Sequence, residues 1–236
     1  MNIITILNFI GEKNTKYKLE VKGDNVKIPF EPGLRNKNLK KQGKWRDENY
    51  NGIVNFENGV INGEYVVYFN GLSEKIIKER GFFRDGEKHG EWIQYNFDGD
   101  IIFKGNYVDG KQVGEVVLCY DDGTIQDKGQ YDQDGKKHGE WLHYYPSGEL
   151  KSKENYTNGI GNGIFTRYYE GGQVKGKYNS VNGKREGEHI EYYPNGNVKM
   201  IINYKGGLRN GKTIEYLPNG WVSSEQEYVD DQIVSK

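Results

Sequence analysis

Along most of this chain, apolar residues occupy alternate positions in short runs, and glycines cut those runs at regular intervals. Taking Gly63, Gly90, Gly114, Gly139, Gly163, Gly187 and Gly211 as reference points, the steps between them are 27, 24, 25, 24, 24 and 24 residues. The third position after each reads Val66, Ile93, Val117, Leu142, Thr166, Ile190 and Ile214, and the fifth reads Tyr68, Tyr95, Cys119, Tyr144, Tyr168, Tyr192 and Tyr216. Residues two apart on a strand share a face, so these columns predict one side of a recurring β-strand. Nine residues after most reference glycines comes another, at Gly99, Gly123, Gly148, Gly172, Gly196 and Gly220. Segments such as Pro146-Ser147-Gly148 and Pro194-Asn195-Gly196 suit a three-residue hairpin loop whose glycine adopts the left-handed conformation.

A returning strand follows each loop. Ile101, Ile125, Leu150, Val174, Val198 and Val222 lie two residues past the loop glycine. A three-residue loop pairs them with the tyrosine column. By parity, Tyr107, Tyr131, Tyr156, Tyr204 and Tyr228 are expected on that same face. In the fifth unit, Tyr178 comes two residues early and the following loop reads two residues longer, a change that leaves every side chain on its side. The predicted fold is therefore all-β: an elongated single-sheet meander of about seven β-hairpin repeats. A period of this size means that no unit buries its apolar side alone, so neighbours must stack. Gly43-Lys44-Trp45 followed by Gly52 marks a shortened unit upstream. Residues 43–236 form the array. Residues 1–42, with alternating runs from Tyr17 and Asn25 and a break at Pro29–Gly33, read as an N-terminal cap or divergent repeat covering a sheet edge. The tyrosine-aliphatic face is expected to be the structural one.

Composition supports strands over helices. Alanine is absent, while the chain has 33 glycines and 19 tyrosines; glycine is a poor helix former and tyrosine favours strands. A mean hydropathy of −0.90 argues against a deep, many-layered core. Lys and Arg total 33 against 34 Asp and Glu, which removes the cation excess that nucleic-acid binding uses and argues against adhesion to anionic membranes. The start of the chain lacks a basic signal-peptide pattern, and no run approaches a membrane span, so a cytoplasmic protein is expected.

The bland readings of the chemistry-bearing residues are the stronger ones. His89 and His138 are four strands apart, roughly 19 Å, too far for one ion. Gly159-Ile160-Gly161-Asn162-Gly163 belongs to an inter-unit turn with no helix after it, so it is no phosphate loop. Cys119 is a lone replacement in the tyrosine column. Glu64, Glu91, Glu115, Glu140 and Glu188 form a column beside the opening glycine that singles out no acid–base pair and balances Lys104, Lys128, Lys153 and Lys177. No catalytic residue, cofactor or metal site is expected. The opposite face varies from unit to unit: Trp92-Gln94-Asn96, Val116-Leu118-Tyr120, Trp141-His143-Tyr145, Phe165-Arg167-Tyr169, His189-Glu191-Tyr193. Aromatics beside polar groups suit a protein interface, and Trp, Tyr and Arg dominate hot spots. Trp92, Tyr120, Trp141, His143, Tyr145, Phe165, Arg167, Tyr169 and Tyr193 are the candidate partner-binding residues. Packing between units and over lysine stems is the competing account of the same aromatics.

Residues 135–151 (Gly-Lys-Lys-His-Gly-Glu-Trp-Leu-His-Tyr-Tyr-Pro-Ser-Gly-Glu-Leu-Lys), together with 85–92 and 187–196, resemble the bacterial variant of the MORN repeat. The resemblance covers about residues 43–236 and implies an elongated β-hairpin sheet used for protein association. Some bacterial proteins of this type are labelled antitoxins, and eukaryotic MORN proteins have been linked to membranes and scaffolds. The function expected on these grounds is a non-catalytic scaffold that binds another protein on its aromatic face, with an antitoxin or immunity role as a special case. The alternative is a membrane- or phospholipid-associated repeat protein. Two open sheet edges leave homodimerisation available.

Overall fold

The computed structural model describes residues 21–22, 25–26, 43–47, 51–70 and 76–235, and every regular element among them is a β-strand. The chain divides into two compact units, Met1–Glu87 and Lys88–Lys236. The expected cap over residues 1–42 lies almost wholly outside the described residues; within it, Val21–Lys22 pairs antiparallel with Asn25–Val26.

In the first unit Gly43–Asp47, Gly52–Glu57, Val60–Tyr68 and Ile77–Arg84 form an antiparallel meander. Its buried side chains include Val54, Tyr65 and Val67, and Tyr65 stands edge-on to Phe83 at 5.2 Å between centroids. Gly52 sits inside a strand, where a Cβ would lie 2.2 Å from the Val66 carbonyl oxygen.

The second unit is a meander in which each strand pairs antiparallel with the next. It runs through Gly90–Tyr95, Ile101–Val108, Lys111–Cys119, Ile125–Tyr131, Lys137–Tyr144 and Leu150–Thr157. It continues through Gly163–Tyr168, Val174–Val181, Lys184–Tyr192, Val198–Lys205, Leu208–Tyr216, Val222–Val229 and Gln232–Ser235.

Two kinds of turn produce this path. Within a repeat, the tip is the expected three-residue loop: Gly148 N–H donates to the Tyr145 carbonyl, Tyr145 N–H donates to that of Glu149, and Gly148 has φ +82°. Between repeats, most connections are two-residue turns such as Asn158-Gly159 (φ +53° and +81°) and Asp109-Gly110 (+48° and +76°). Two positive φ values in succession define the turn whose twist matches that of the strands, and Asn or Asp before Gly is the sequence that tolerates it.

Each three-residue tip is followed by a one-residue bulge, and that bulge corrects the expected assignment of faces. Tyr144 pairs with Leu150, as the loop length predicts, but His143 pairs with Ser152, so Lys151 is an extra residue. The same skip follows Tyr95, Cys119, Tyr168, Tyr192 and Tyr216. One extra residue inverts the parity of everything beyond it. Tyr107, Tyr131, Tyr156, Tyr204 and Tyr228 therefore join the face that carries Trp92, Trp141 and Phe165, not the face of Tyr144. The opening glycine lies in a second irregularity, where the pairing shifts by two residues (Lys128↔Leu142, then Gln130↔His138) and parity is kept.

The face expected to be structural is consequently the less buried one. Trp92, Val116, Trp141, Phe165 and His189, all two residues past the opening glycine, are buried. Tyr95, Tyr144, Tyr168, Tyr192 and Tyr216 are half-buried. Tyr178 is also explained differently from the sequence reading. Its strand, Val174–Val181, keeps the ordinary register, and Ser180 stands opposite Gly163 where other repeats place the tyrosine. Tyr178 has moved two places along the same face and stacks on Phe165 (5.0 Å, 14°).

Candidate functional site

In the buried row, two rings lie against glycines, Trp141 at Gly129 and Phe165 at Gly161. Trp141 covers Gly129 of the preceding hairpin so closely that a Cβ there would lie 2.3 Å from the indole, and its Nε1–H donates to the Gln130 carbonyl (3.1 Å). Rings then follow one another along the sheet: Tyr156–Phe165 (edge-on), Phe165–Tyr178 (stacked), Tyr178–His189 and His189–Tyr204 (tilted) have centroids 5.8, 5.0, 5.5 and 6.2 Å apart. Cations two residues before the opening glycine cap the rings. Lys88 lies 3.9 Å from the Trp92 centroid, Lys137 4.1 Å from Trp141, and Arg185 4.9 and 5.3 Å from Tyr178 and Tyr204. Both the glycine column and the cation column stand in the sequence, and together they mark the buried face.

Along the same face a ladder links successive repeats. The hydroxyls of Tyr120, Tyr145, Tyr169 and Tyr193 donate to the backbone carbonyls of Tyr144, Tyr168, Tyr192 and Tyr216, each at 2.8 Å. In the Tyr-Tyr pair, therefore, the second tyrosine of one repeat grips the first tyrosine of the next. One repeat upstream Asn96 makes the same reach, its Nδ2–H donating to the Asp121 carbonyl (2.5 Å).

Between these features three neighbouring strands place Asp127, His143 and Ser152 abreast. His143 Nδ1 bonds Asp127, and Nε2 lies 3.6 Å from Glu154. Glu154 also accepts from the hydroxyls of Tyr156 (2.6 Å) and Ser152 (3.4 Å). The hydrogen-bonding Glu154, with Asp127 assisting and burial opposing, holds the imidazole above its ordinary 6.5. In return His143 holds Glu154 down to about 2, and burial followed by Glu154 pushes the Tyr156 phenol up. Both ring nitrogens of His143 face carboxylates, and both nearby hydroxyls are spent on Glu154. That geometry favours the charged imidazole and leaves neither ring nitrogen facing a nucleophile. At Cys119, burial and then Asp122 push the thiol up, which keeps it protonated at neutral pH.

A groove of about 470 Å³ opens over this cluster, lined by Tyr120, Tyr145, Arg167, Lys151 and Lys175 among others. The structure separates the nine candidate residues. Trp92, Trp141 and Phe165 are 1, 4 and 8% exposed, so they form the core between hairpins and present no surface to a partner. This is a correction, and its cause is packing within the sheet face: Trp141 lies over Gly129, Phe165 against Gly161 and Tyr178, and Trp92 beside Tyr107 under Lys88. Tyr120, His143, Tyr145, Tyr169 and Tyr193 are half-buried and Arg167 is exposed; the groove brings Tyr120, His143, Tyr145 and Arg167 together. Sequence reasoning missed Lys151 and Lys175, because a bulge residue has no assigned face until the pairing is known.

Comparison with known proteins agrees with the repeat. Residues 88–109, 137–158, 162–182, 185–205 and 209–230 match the family described as MORN repeat variant. The unmatched 110–136 keeps the hairpin register of its neighbours while carrying Val-Val-Leu-Cys where they have Trp-Ile-Gln-Tyr and Trp-Leu-His-Tyr. No match was found among curated proteins. Among solved structures, one described as "Crystal structure of GtfA/B complex bound to UDP and GlcNAc" aligns at 14% identity and a TM-score of 0.22, over 48% of this chain and 22% of that one. A similarity that low carries no argument about function. The five MORN-variant copies define a β-hairpin repeat protein.

Proposed function

We propose that this chain is a non-catalytic scaffold that binds another protein on the accessible part of its aromatic face, in the groove around Tyr120, His143, Tyr145 and Arg167. The observation that carries this reading is the tyrosine ladder. Its hydroxyls are bonded to backbone, so Tyr120 and Tyr145 enter the groove as fixed, half-exposed rings beside an exposed arginine. Surfaces of this kind bind with little ordering cost, and Tyr and Arg supply most of the energy in protein interfaces. The finer reading, an antitoxin or immunity-type inhibitor acting in the cytoplasm, rests on the resemblance of the repeats alone. Membrane association is less favoured, since the chain as a whole carries a net charge of −1.

The test is a pull-down with the intact chain from cells that also express its genomic neighbours. Arg167→Glu combined with Tyr145→Ser, checked for folding by circular dichroism, is expected to lose the bound protein. A partner held equally by wild type and variant would remove this face from consideration. Flotation with phospholipid vesicles in place of protein retention would favour the membrane reading.

A further inference from the structure

Two lysine columns run along the second unit, and their surroundings differ. On the tyrosine-aliphatic face, Lys104 sits 2.8 Å from Glu91, and Lys153 is ion-paired with Glu140. Lys151 and Lys175 belong to the other column. They are the extra residues of two successive bulges, and their ammonium groups lie 5.7 and 5.4 Å from the ring centroids of Tyr145 and Tyr169. Among the described residues neither is in an ion pair. One repeat further on, the equivalent Lys199 lies 3.8 Å from Glu191. One repeat before, the position is Gln126. The uncompensated stretch is thus confined to two adjacent repeats.

Arg167 falls between them. Its strand neighbours are Ser152 on one side and Gly176 on the other, each next to one of the two lysines. It is 48% exposed and reaches Glu191 only at 3.9 Å. The two carboxylates of the same groove, Asp127 and Glu154, are engaged by His143, Tyr156 and Ser152. Four cations therefore line the groove, Lys137 capping Trp141 and Lys151, Arg167 and Lys175 with only Glu191, 3.9 Å from Arg167, as a counter-charge, in a chain whose total charge is −1.

We infer that the groove takes an acidic segment of the partner protein, its carboxylates against Lys151, Arg167 and Lys175 and its stems over Tyr145 and Tyr169. The inference rests on the scaffold reading above and supplies its partner chemistry. Lys151 and Lys175 are two strands apart, on the order of 10 Å, a distance a short peptide segment spans with successive acidic side chains. A phosphate headgroup fits less well. Asp127 and Glu154 line the same groove and would repel a compact dianion more than singly charged carboxylates spread along a chain.

The experiment is fluorescence anisotropy with the full chain and a fluorescein-labelled octaglutamate peptide, with octalysine as control, at low and at physiological ionic strength. Octaglutamate is expected to bind and to weaken with salt, while octalysine does not bind. Lys151→Glu with Lys175→Glu is expected to weaken binding by about tenfold or more. Lys128→Glu with Lys177→Glu, the same charge change on the opposite face, is expected to leave it unaltered. Absence of octaglutamate binding, or equal losses in both double variants, would overturn the inference. So would binding to phosphoinositide vesicles that is lost in the Lys151/Lys175 variant without any peptide binding. A protein partner retained equally by wild type and the Lys151/Lys175 variant would overturn the acidic segment while leaving the scaffold reading standing.

Discussion

His143 and His189 lie two repeats apart on the same sheet face, and they live in opposite environments. His189 is two residues past its opening glycine, in the buried row. It is 3% exposed, held between Tyr178 and Tyr204, and neither ring nitrogen has a hydrogen-bond partner. Burial, then the nearby Arg185, depresses its basicity. His143 is four residues past its glycine, at the groove, where Glu154 and Asp127 raise its basicity. Two positions along a strand thus separate a packing ring whose basicity burial lowers from one whose basicity neighbouring carboxylates raise. The row two past the glycine holds the hairpins together, and from the row four past it His143 and Arg167 line the groove.

The largest effect should come from breaking the first row. Trp141→Ala leaves Gly129 uncovered and is expected to cost about 3–5 kcal/mol by urea denaturation. A loss below about 1 kcal/mol, within the range of surface changes, would sink the assignment of this row as the core.

The second effect concerns pH. Folding lowers the pKa of Glu154 from 4.5 to about 2, so its contribution is full above 4.5 and lost as pH falls toward 2. That limb is worth on the order of 2–3 kcal/mol, and Glu154→Gln should flatten it in acid-unfolding curves. The two histidines act on opposite sides of 6.5. Folding favours charged His143, so its contribution is full below 6.5 and lost as pH rises through its raised folded value. Folding favours neutral His189, so its contribution is full above 6.5 and lost as pH falls through its lowered one.

A smaller effect, of opposite sign, sharpens the contrast. His189→Phe keeps the stack, removes two unpartnered nitrogens and is expected to stabilise by about 1 kcal/mol. It should also abolish the loss just below 6.5. A destabilised variant would mean that the approach of Nε2 to Glu191, at 3.7 Å, outweighs the cost of burying the imidazole. Smallest of all, Tyr169→Phe deletes one rung of the ladder and should cost about 0.5–1 kcal/mol in the melting transition, because the Tyr192 carbonyl loses its donor at a half-buried site.

Much of the fold was readable because its signals are local. A left-handed glycine after a three-residue loop, and an Asn or Asp before glycine between repeats, impose hairpins whatever the rest of the chain does. The pairing of Tyr144 with Leu150 followed from loop length. The candidate site was readable only in part. Tyr145 and Arg167 line the groove, whereas Trp92, Trp141 and Phe165, on the same face, are buried. The missing signal was contact between strands, as where Trp141 lies over Gly129 of the preceding hairpin.

By itself, the sequence determined the period, the turns and the alternation along each outgoing strand, since all three depend on backbone preferences within a few residues. Only the tertiary structure decided which side of the sheet is buried and which lysines lack a counter-charge. The reason is the bulge after each hairpin tip. One unpaired residue, Lys151 or Lys175, reverses every later side chain, and its position is set by hydrogen bonds between strands that no single strand specifies.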